Sequence, residues 1–146
     1  MTARHKLYII LFGLFSVSFL QASPLAPQTI QNSLSSPPEK LVLCHAAMCE
    51  DINEYSPKNT AIVFSIDIGK VSCFTLFDPV PKKMNIYHKW FYRDKLSTKK
   101  KLHLKPPRWS TFSSIQLREV DKGPWRVEIT DDDGDIIQVL RFSIVD

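Results

Sequence analysis

The sequence predicts an all-β domain with an immunoglobulin-like β-sandwich fold of about seven short strands. β-branched and aromatic residues occur in short runs, and Pro, Gly and Asp interrupt these runs roughly every 8–12 residues, the spacing typical of such sandwiches. No long segment after residue 38 repeats its apolar residues with the period of a helix. Together these observations favour two packed antiparallel sheets.

The first half of the domain contains four strand candidates, at residues 40–49, 60–68, 71–77 and 84–93. The second candidate alternates cleanly, which places one set of residues on the same face: Ile62, Phe64, Ile66 and Ile68. Gly69 then supplies a turn. The fourth candidate alternates as well and predicts a second shared face: Met84, Ile86, His88, Trp90 and Tyr92.

The second half begins with a polar strand at 96–104, followed by a strand or irregular segment at 110–117. The last two strands are the clearest, because apolar residues alternate on both sides of an acidic turn: Trp125, Val127 and Ile129 before it, Leu140, Phe142 and Ile144 after it. The Asp133-Gly134 step in that turn predicts a hairpin, since Gly tolerates the positive φ of a tight turn.

The N-terminal 22 residues have the three parts of a secretory signal peptide. Arg4 and Lys6 give a positive start, residues 7–20 are mostly apolar, and Ala22-Ser23 supplies small residues for cleavage. An apolar core of 14 residues is short for a membrane span, which needs about 20. We therefore expect an exported chain, located in the periplasm or outside the cell, with no membrane span after cleavage.

The expected organisation is a signal peptide at 1–22, a flexible Pro- and Ser-rich linker at 23–38, and one β-sandwich domain at 39–146. Cleavage leaves 17 Lys and Arg against 15 Asp and Glu, because Arg4 and Lys6 are removed. A net charge this close to zero gives no reason to expect a nucleic-acid partner.

One local run is nevertheless basic. Residues 93–108 carry seven Lys and Arg against one acid, and the candidate surface consists of Lys95, Lys99, Lys100, Lys101 and Lys105. Such a surface could bind an anionic envelope component or an acidic protein. The alternative interpretation is that these lysines protect a sheet edge against aggregation, which is a common use of lysine.

Three cysteines in an oxidising compartment suggest one disulfide and one free thiol. Cys44 and Cys49 are five residues apart, so on one extended strand they face opposite sides and lie about 16 Å apart, whereas a disulfide needs Cα atoms within about 7 Å. Either Cys44 or Cys49 is therefore expected to pair with Cys73, and we favour Cys49–Cys73. The alternative is three buried thiols that pack as small apolar residues.

No motif in the chain predicts catalysis, a metal or a cofactor. The Asp131–Asp135 cluster fails the calcium-loop pattern, because Ile129 and Leu140 occupy positions that require carboxylate ligands. His88 is the histidine of most interest, either as a buried, hydrogen-bonded core residue or as a ligand contact. No local nucleophile motif accompanies it.

The second half of the chain resembles the bacterial domain-of-unknown-function 2914 family over about residues 41–146, most closely over 70–146. The resemblance rests on a His-x-Trp pair, an Arg-Trp step followed by Ser-Ser, a Gly-x-Trp-x-Val segment, an Asp-Gly turn and a closing Phe. Its repeated residues are His88, Trp90, Arg108, Trp109, Ser113, Trp125 and Asp133. The resemblance implies a small β domain, often in exported bacterial proteins, with no assigned activity and no catalytic residue to carry over.

We therefore expect a non-enzymatic binding or interaction module of the bacterial envelope. One alternative is a hydrolase-type enzyme that uses His88. Another is an accessory or chaperone-like subunit that acts by adding a β-strand to a partner. The deciding question is whether His88, Arg108 and the three Trp line a cleft or fill the core.

Overall fold

The computed structural model describes residues 40–146, which form nine β-strands in two sheets. The expected signal peptide and linker lie outside the described residues. The strands are β1 (Leu43–Asn53), β2 (Ser56–Thr60), β3 (Val63–Ser65), β4 (Lys70–Phe77), β5 (Met84–Tyr92), β6 (Lys95–Leu104), β7 (Trp109–Gln116), β8 (Gly123–Thr130) and β9 (Ile136–Val145). The predicted β-sandwich is confirmed, with nine strands instead of about seven.

The strand order is that of an immunoglobulin-like sandwich. One sheet has the order β2-β1-β4-β7 and the other β3-β9-β8-β5-β6. Strands β4, β5, β7, β8 and β9 take the places of strands B, C, E, F and G of that fold. All strand pairs are antiparallel except β3 with β9, which run parallel.

The core lies between the two sheets and is built from alternating residues. On β5, Ile86, His88 and Trp90 are buried, and on β8 Trp125, Val127 and Ile129 are buried, as the sequence pattern predicted. Trp90 is completely buried and packs edge-on against Phe142 of β9, with ring centroids 6.1 Å apart. A buried Trp on the strand equivalent to C is a hallmark of the immunoglobulin fold.

The single strand predicted at 60–68 is wrong. Thr60 ends β2, Val63–Ser65 form β3, and Ile66–Ile68 form a short 3-10 helix. The Ser65 hydroxyl accepts a hydrogen bond from the Asp67 N–H, and Gly69 ends the turn at φ 68°, a value that favours glycine. Because the strand is broken, Ile62 does not join the core and is 73% exposed.

Strand β2 was missed because its sequence, SPKNT, is polar and begins with turn-forming residues. It lies at the edge of its sheet, where proline is tolerated in place of a hydrogen-bonding residue. The preceding strand is also longer than predicted, since β1 continues to Asn53.

The acidic segment between β8 and β9 is a hydrogen-bonded turn. The Asp131 carboxylate accepts a hydrogen bond from the Asp135 N–H at 2.9 Å, and Gly134 has a φ of 94°. Asp132 accepts hydrogen bonds from the side chains of Asn85 and Tyr87. Asp131 therefore closes the turn, and Asp132 joins it to β5.

Within residues 40–146, no helix is both long enough and apolar enough to span a membrane.

Candidate binding surface and buried histidine network

His88 lies at the centre of a polar network between the two sheets. Its side chain is completely buried. Nδ1 lies 2.8 Å from the Ser113 hydroxyl of β7, and Nε2 lies 3.5 Å from the Thr75 hydroxyl of β4. Trp90 Nε1 donates to the same Ser113 oxygen at 3.1 Å. The His-x-Trp pair and Ser113 thus form one hydrogen-bonded unit.

One direction of proton donation satisfies every donor in this network. Trp90 can only donate, so the Ser113 oxygen accepts from it, and the Ser113 hydroxyl proton points to His88 Nδ1. His88 Nε2–H then donates to Thr75, whose hydroxyl donates to the Thr111 carbonyl at 3.3 Å. This assignment gives His88 a neutral ring with the proton on Nε2.

Burial lowers the pKa of His88 from 6.5 to about 4, because the low-dielectric interior disfavours the charged imidazolium. No carboxylate is among the hydrogen-bond partners that the described residues offer to this ring. Serine lies next to histidine here, but the serine hydroxyl is itself buried and used as a hydrogen-bond acceptor by Trp90. The geometry is that of a core network.

The other residues of the sequence signature lie in different places. Trp125 is 5% exposed, stacks on Phe142 with ring centroids 6.1 Å apart, and donates from Nε1 to the Asp121 carbonyl at 2.7 Å. Trp109 is half-buried at the start of β7. Arg108 is exposed and lies 3.8 Å from the Asp78 carboxylate. His88, Trp90, Ser113 and Trp125 therefore belong to the core, and Arg108 to the surface.

The structure divides the predicted basic surface. Strand β6 is an edge strand, and on it Lys99 and Lys101 pair with Lys89 and Tyr87 on the outer face of the five-stranded sheet. Lys100 pairs with His88 and therefore points to the opposite side. A register shift after Trp90 places Lys95 opposite Tyr92, again away from that outer face.

Lys105 follows β6 and lies over the Trp109 ring, 5.3 Å from its centroid. Five lysines that are neighbours in sequence thus occupy more than one surface. Only Lys99 and Lys101 of the predicted set lie on the outer face of the five-stranded sheet, because residues on a strand alternate between its two sides.

Aromatic rings and cations are interleaved on this outer face. Lys99 Nζ lies 4.0 Å from the centroid of the Tyr87 ring, and the Arg126 guanidinium lies 4.1 Å from that of Phe91. Contacts of this kind stabilise exposed cations by about 0.5–1 kcal/mol. They also hold the charged groups in defined positions on the sheet.

Two pairs of like charges lie directly opposite each other on the same face. Lys89 of β5 is paired with Lys99 of β6, and Arg126 of β8 with Arg141 of β9. Like charges in directly opposed positions destabilise a sheet. Arg126 is partly neutralised by Glu128, whose Oε1 lies 3.0 Å from Nε, and by Asp94.

The three cysteines, Cys44, Cys49 and Cys73, are free in the structure, and the predicted Cys49–Cys73 disulfide is not formed. The register explains why. Cys73 is paired with Met48 and belongs to the core, whereas Cys49 is paired with Ser72 and projects from the other face of the same sheet. Burial raises the pKa of the Cys49 thiol to about 11 and that of Cys73 further.

Sequence reasoning missed three residues of the outer face, Phe91, Arg126 and Arg141, as a group. Alternation alone indicates that each points away from the core. Phe91 meets Arg126 through the register of β5 with β8. Arg141 meets Arg126 through the register across the β8–β9 turn, which spans five residues, Asp131 to Asp135, and not the two of a tight hairpin. A correct turn length was the missing information.

The described part of the chain is thus an immunoglobulin-like sandwich domain with a filled core and a basic, aromatic outer face on its five-stranded sheet. Residues 83–144 match the family model described as Protein of unknown function (DUF2914). The match confirms the resemblance over β5 to β9 and includes all of its signature residues. No match to the chain was found among curated proteins.

Proposed function

We propose that this chain is an exported, non-enzymatic binding module that binds an anionic component of the bacterial envelope through the outer face of its five-stranded sheet. The proposal depends on two pairs of like charges that lie opposite each other on this face, Lys89 with Lys99 and Arg126 with Arg141. A sheet that keeps such repulsion without a ligand loses stability. An anion bound across the pairs converts the repulsion into attraction.

Charge is concentrated on this face. Residues 40–146 contain 17 Lys and Arg against 14 Asp and Glu, a net charge of +3. The outer face contains five basic residues against three acidic ones, a net charge of +2, so the remainder of the described domain has a net charge of only +1. The five are Lys89, Lys99, Lys101, Arg126 and Arg141, and the three are Asp94, Glu128 and Asp132. A concentrated field of this kind attracts anions even when the net charge is small.

The proposed export rests on the N-terminal signal pattern of Arg4, Lys6 and the apolar residues after them. An envelope location supplies anionic lipids and polymers as partners. The hydrolase alternative receives no support from His88, because its ring is completely buried and bonded to Ser113 and Thr75. A general base must reach the proton that it removes.

The test is binding of the purified protein to vesicles with and without phosphatidylglycerol, and to a phosphate-bearing polymer, at low and high ionic strength. We expect binding to the anionic probes that weakens as salt is added. The variant K99E/K101E should lose this binding, because both side chains lie on the outer face. The matched control K58E/K82E makes the same charge change at exposed lysines elsewhere and should retain most of it.

Absence of salt-sensitive binding to either probe would overturn the proposal. An equal loss in K99E/K101E and K58E/K82E would also count against it, because the effect would then follow net charge and not this face.

A second candidate function, β-strand addition, is favoured by strand β7. This strand lies at an edge of the four-stranded sheet, carries no charged residue and exposes 47% of Phe112. The other edge on that side of the sandwich, β6, is protected by lysines. If β7 of one copy pairs with a strand of a second copy, amide hydrogen exchange along β7 should slow as the protein concentration rises. Exchange that does not depend on concentration would refute it.

A further inference from the structure

A small cavity lies beside the outer face where β5, β8 and β9 meet. It has a volume of about 170 Å³, and its lining includes Phe91, Pro124 and three arginines, Arg93, Arg126 and Arg141. Sites for drug-sized ligands are larger, about 300–1,000 Å³. The cavity therefore has the size to hold one small group of a ligand and not an entire organic molecule.

Arg126 is held in place at this cavity by three contacts. Its Nε donates to Glu128 Oε1 at 3.0 Å, one terminal nitrogen contacts Asp94, and the guanidinium lies over the Phe91 ring. Its side chain is only 18% exposed. A guanidinium that is already oriented loses little freedom when an anion binds to its remaining N–H groups.

Arg93 and Arg141 differ from Arg126, because within residues 40–146 no carboxylate lies within salt-bridge distance of either. Arg93 lies on the Tyr92 ring, 5.0 Å from its centroid, and beside the backbone of Gly123. Arg141 is exposed and directly opposite Arg126. Two of the three arginines that line the cavity thus have no ion-pair partner among the described residues.

The charge of the cavity is positive after its own acid is counted. Three arginines against Asp94 leave a net charge of +2 among the lining residues. Each guanidinium presents donors in a planar fork that matches the oxygens of a phosphate or carboxylate. The three arginines belong to different segments of the chain, and their several N–H groups match the larger number of acceptor oxygens of a phosphate better than the two of a carboxylate.

We propose that Arg93, Arg126 and Arg141 form a binding pocket for a phosphate group of the anionic ligand. This inference rests on the proposed function, since it names the chemical group that the outer face recognises. Lys89, Lys99 and Lys101 then attract the anionic surface by general electrostatics. The arginine pocket binds one phosphate by direct hydrogen bonds and fixes its position on the face.

The test is an NMR titration of the purified protein with inorganic phosphate, in which backbone amides and arginine Nε–H groups are followed. We expect saturable shifts at Arg93, Arg126 and Arg141. The variant R141Q should weaken phosphate binding about tenfold, the effect of losing a charge-assisted hydrogen bond. The matched control R108Q removes an arginine that is exposed on another part of the domain, and should leave binding unchanged.

Vesicles that contain phosphatidylglycerol, and the phosphate-bearing polymer, form the second part of the experiment. If R141Q weakens binding to free phosphate and to these probes alike, a phosphate within a larger ligand is the target. If only free phosphate binds, the pocket stands and the envelope-binding proposal fails. The pocket is refuted if phosphate shifts no arginine signal, or if R141Q and R108Q bind phosphate alike. The general electrostatic proposal survives that outcome if K99E/K101E abolishes salt-sensitive binding.

Discussion

The buried imidazole of His88 makes domain stability depend on pH in a defined direction. Its pKa is about 4 in the folded chain, against 6.5 for an ordinary histidine. Between these values the unfolded chain binds a proton at residue 88 and the folded chain does not, so the free energy of unfolding falls as the pH falls. A lowered histidine pKa thus gives stability that is fully present above pH 6.5 and is lost towards pH 4.

The magnitude follows from the size of the shift. Each pKa unit corresponds to about 1.4 kcal/mol, so acidification from pH 6.5 to pH 4 should remove about 3 kcal/mol through His88. That loss is large for a domain whose total stability is about 5–15 kcal/mol. Carboxylates also change charge in the acidic part of this range, and their contribution must be separated from that of the histidine.

The perturbation is H88Q, because a glutamine amide can accept from Ser113 and donate to Thr75 in place of the ring. Urea unfolding followed by tryptophan fluorescence at several pH values gives the free energy of unfolding of each protein. The free energy of unfolding of the wild type minus that of H88Q should fall by about 3 kcal/mol from pH 6.5 to pH 4, since only the wild type contains the buried imidazole.

The matched control is H103Q, which replaces an exposed histidine of β6 and should retain the pH dependence of the wild type. NMR titration of the His88 ring provides a direct reading that does not depend on the stability of any variant. Equal pH slopes in wild type and H88Q, or a His88 ring that titrates near 6.5, would refute the reasoning.

Two further predictions concern the core and the thiols. S113A should lower the free energy of unfolding by about 1–3 kcal/mol, because it leaves Trp90 Nε1–H without its acceptor. The control S97A, at an exposed site, should change it by about 0.5 kcal/mol or less. Equal effects of the two variants in urea unfolding would contradict the hydrogen-bond network. A thiol reagent should label one cysteine, the exposed Cys44, in the native protein and all three after unfolding, because Cys49 and Cys73 are buried. Labelling of fewer than three thiols in denaturant that contains no reductant would instead reveal a disulfide.

Much of the core was predictable, because burial on a single strand depends only on alternation. Trp90 on β5 and Val127 on β8 lie on the inward faces that the sequence indicates. His88 shares the inward face of β5 with Trp90, so its burial follows from the same pattern. Its partners did not follow, because Ser113 lies on a strand of the other sheet.

Features that depend on register between strands could not be obtained in this way. The predicted Cys49–Cys73 disulfide assumed that two nearby strands present both sulfurs to the same side, and a one-residue offset places them on opposite faces. The basic run failed as a single surface for a similar reason, since alternation and a register shift separate Lys95 and Lys100 from Lys99. The proposed arginine pocket depends on two registers at once, that of β5 with β8 and that of β8 with β9.

The parallel pairing of β3 with β9 also constrains when the domain can fold. Val63 is paired with Ser143, a partner that is 80 residues later in the chain, and β9 lies between β3 and β8 in the finished sheet. A growing polypeptide cannot complete this sheet until residue 145 has been made, and such long-range closure slows folding. The domain therefore lacks its complete core until β9 has been synthesised, however early its other strands emerge.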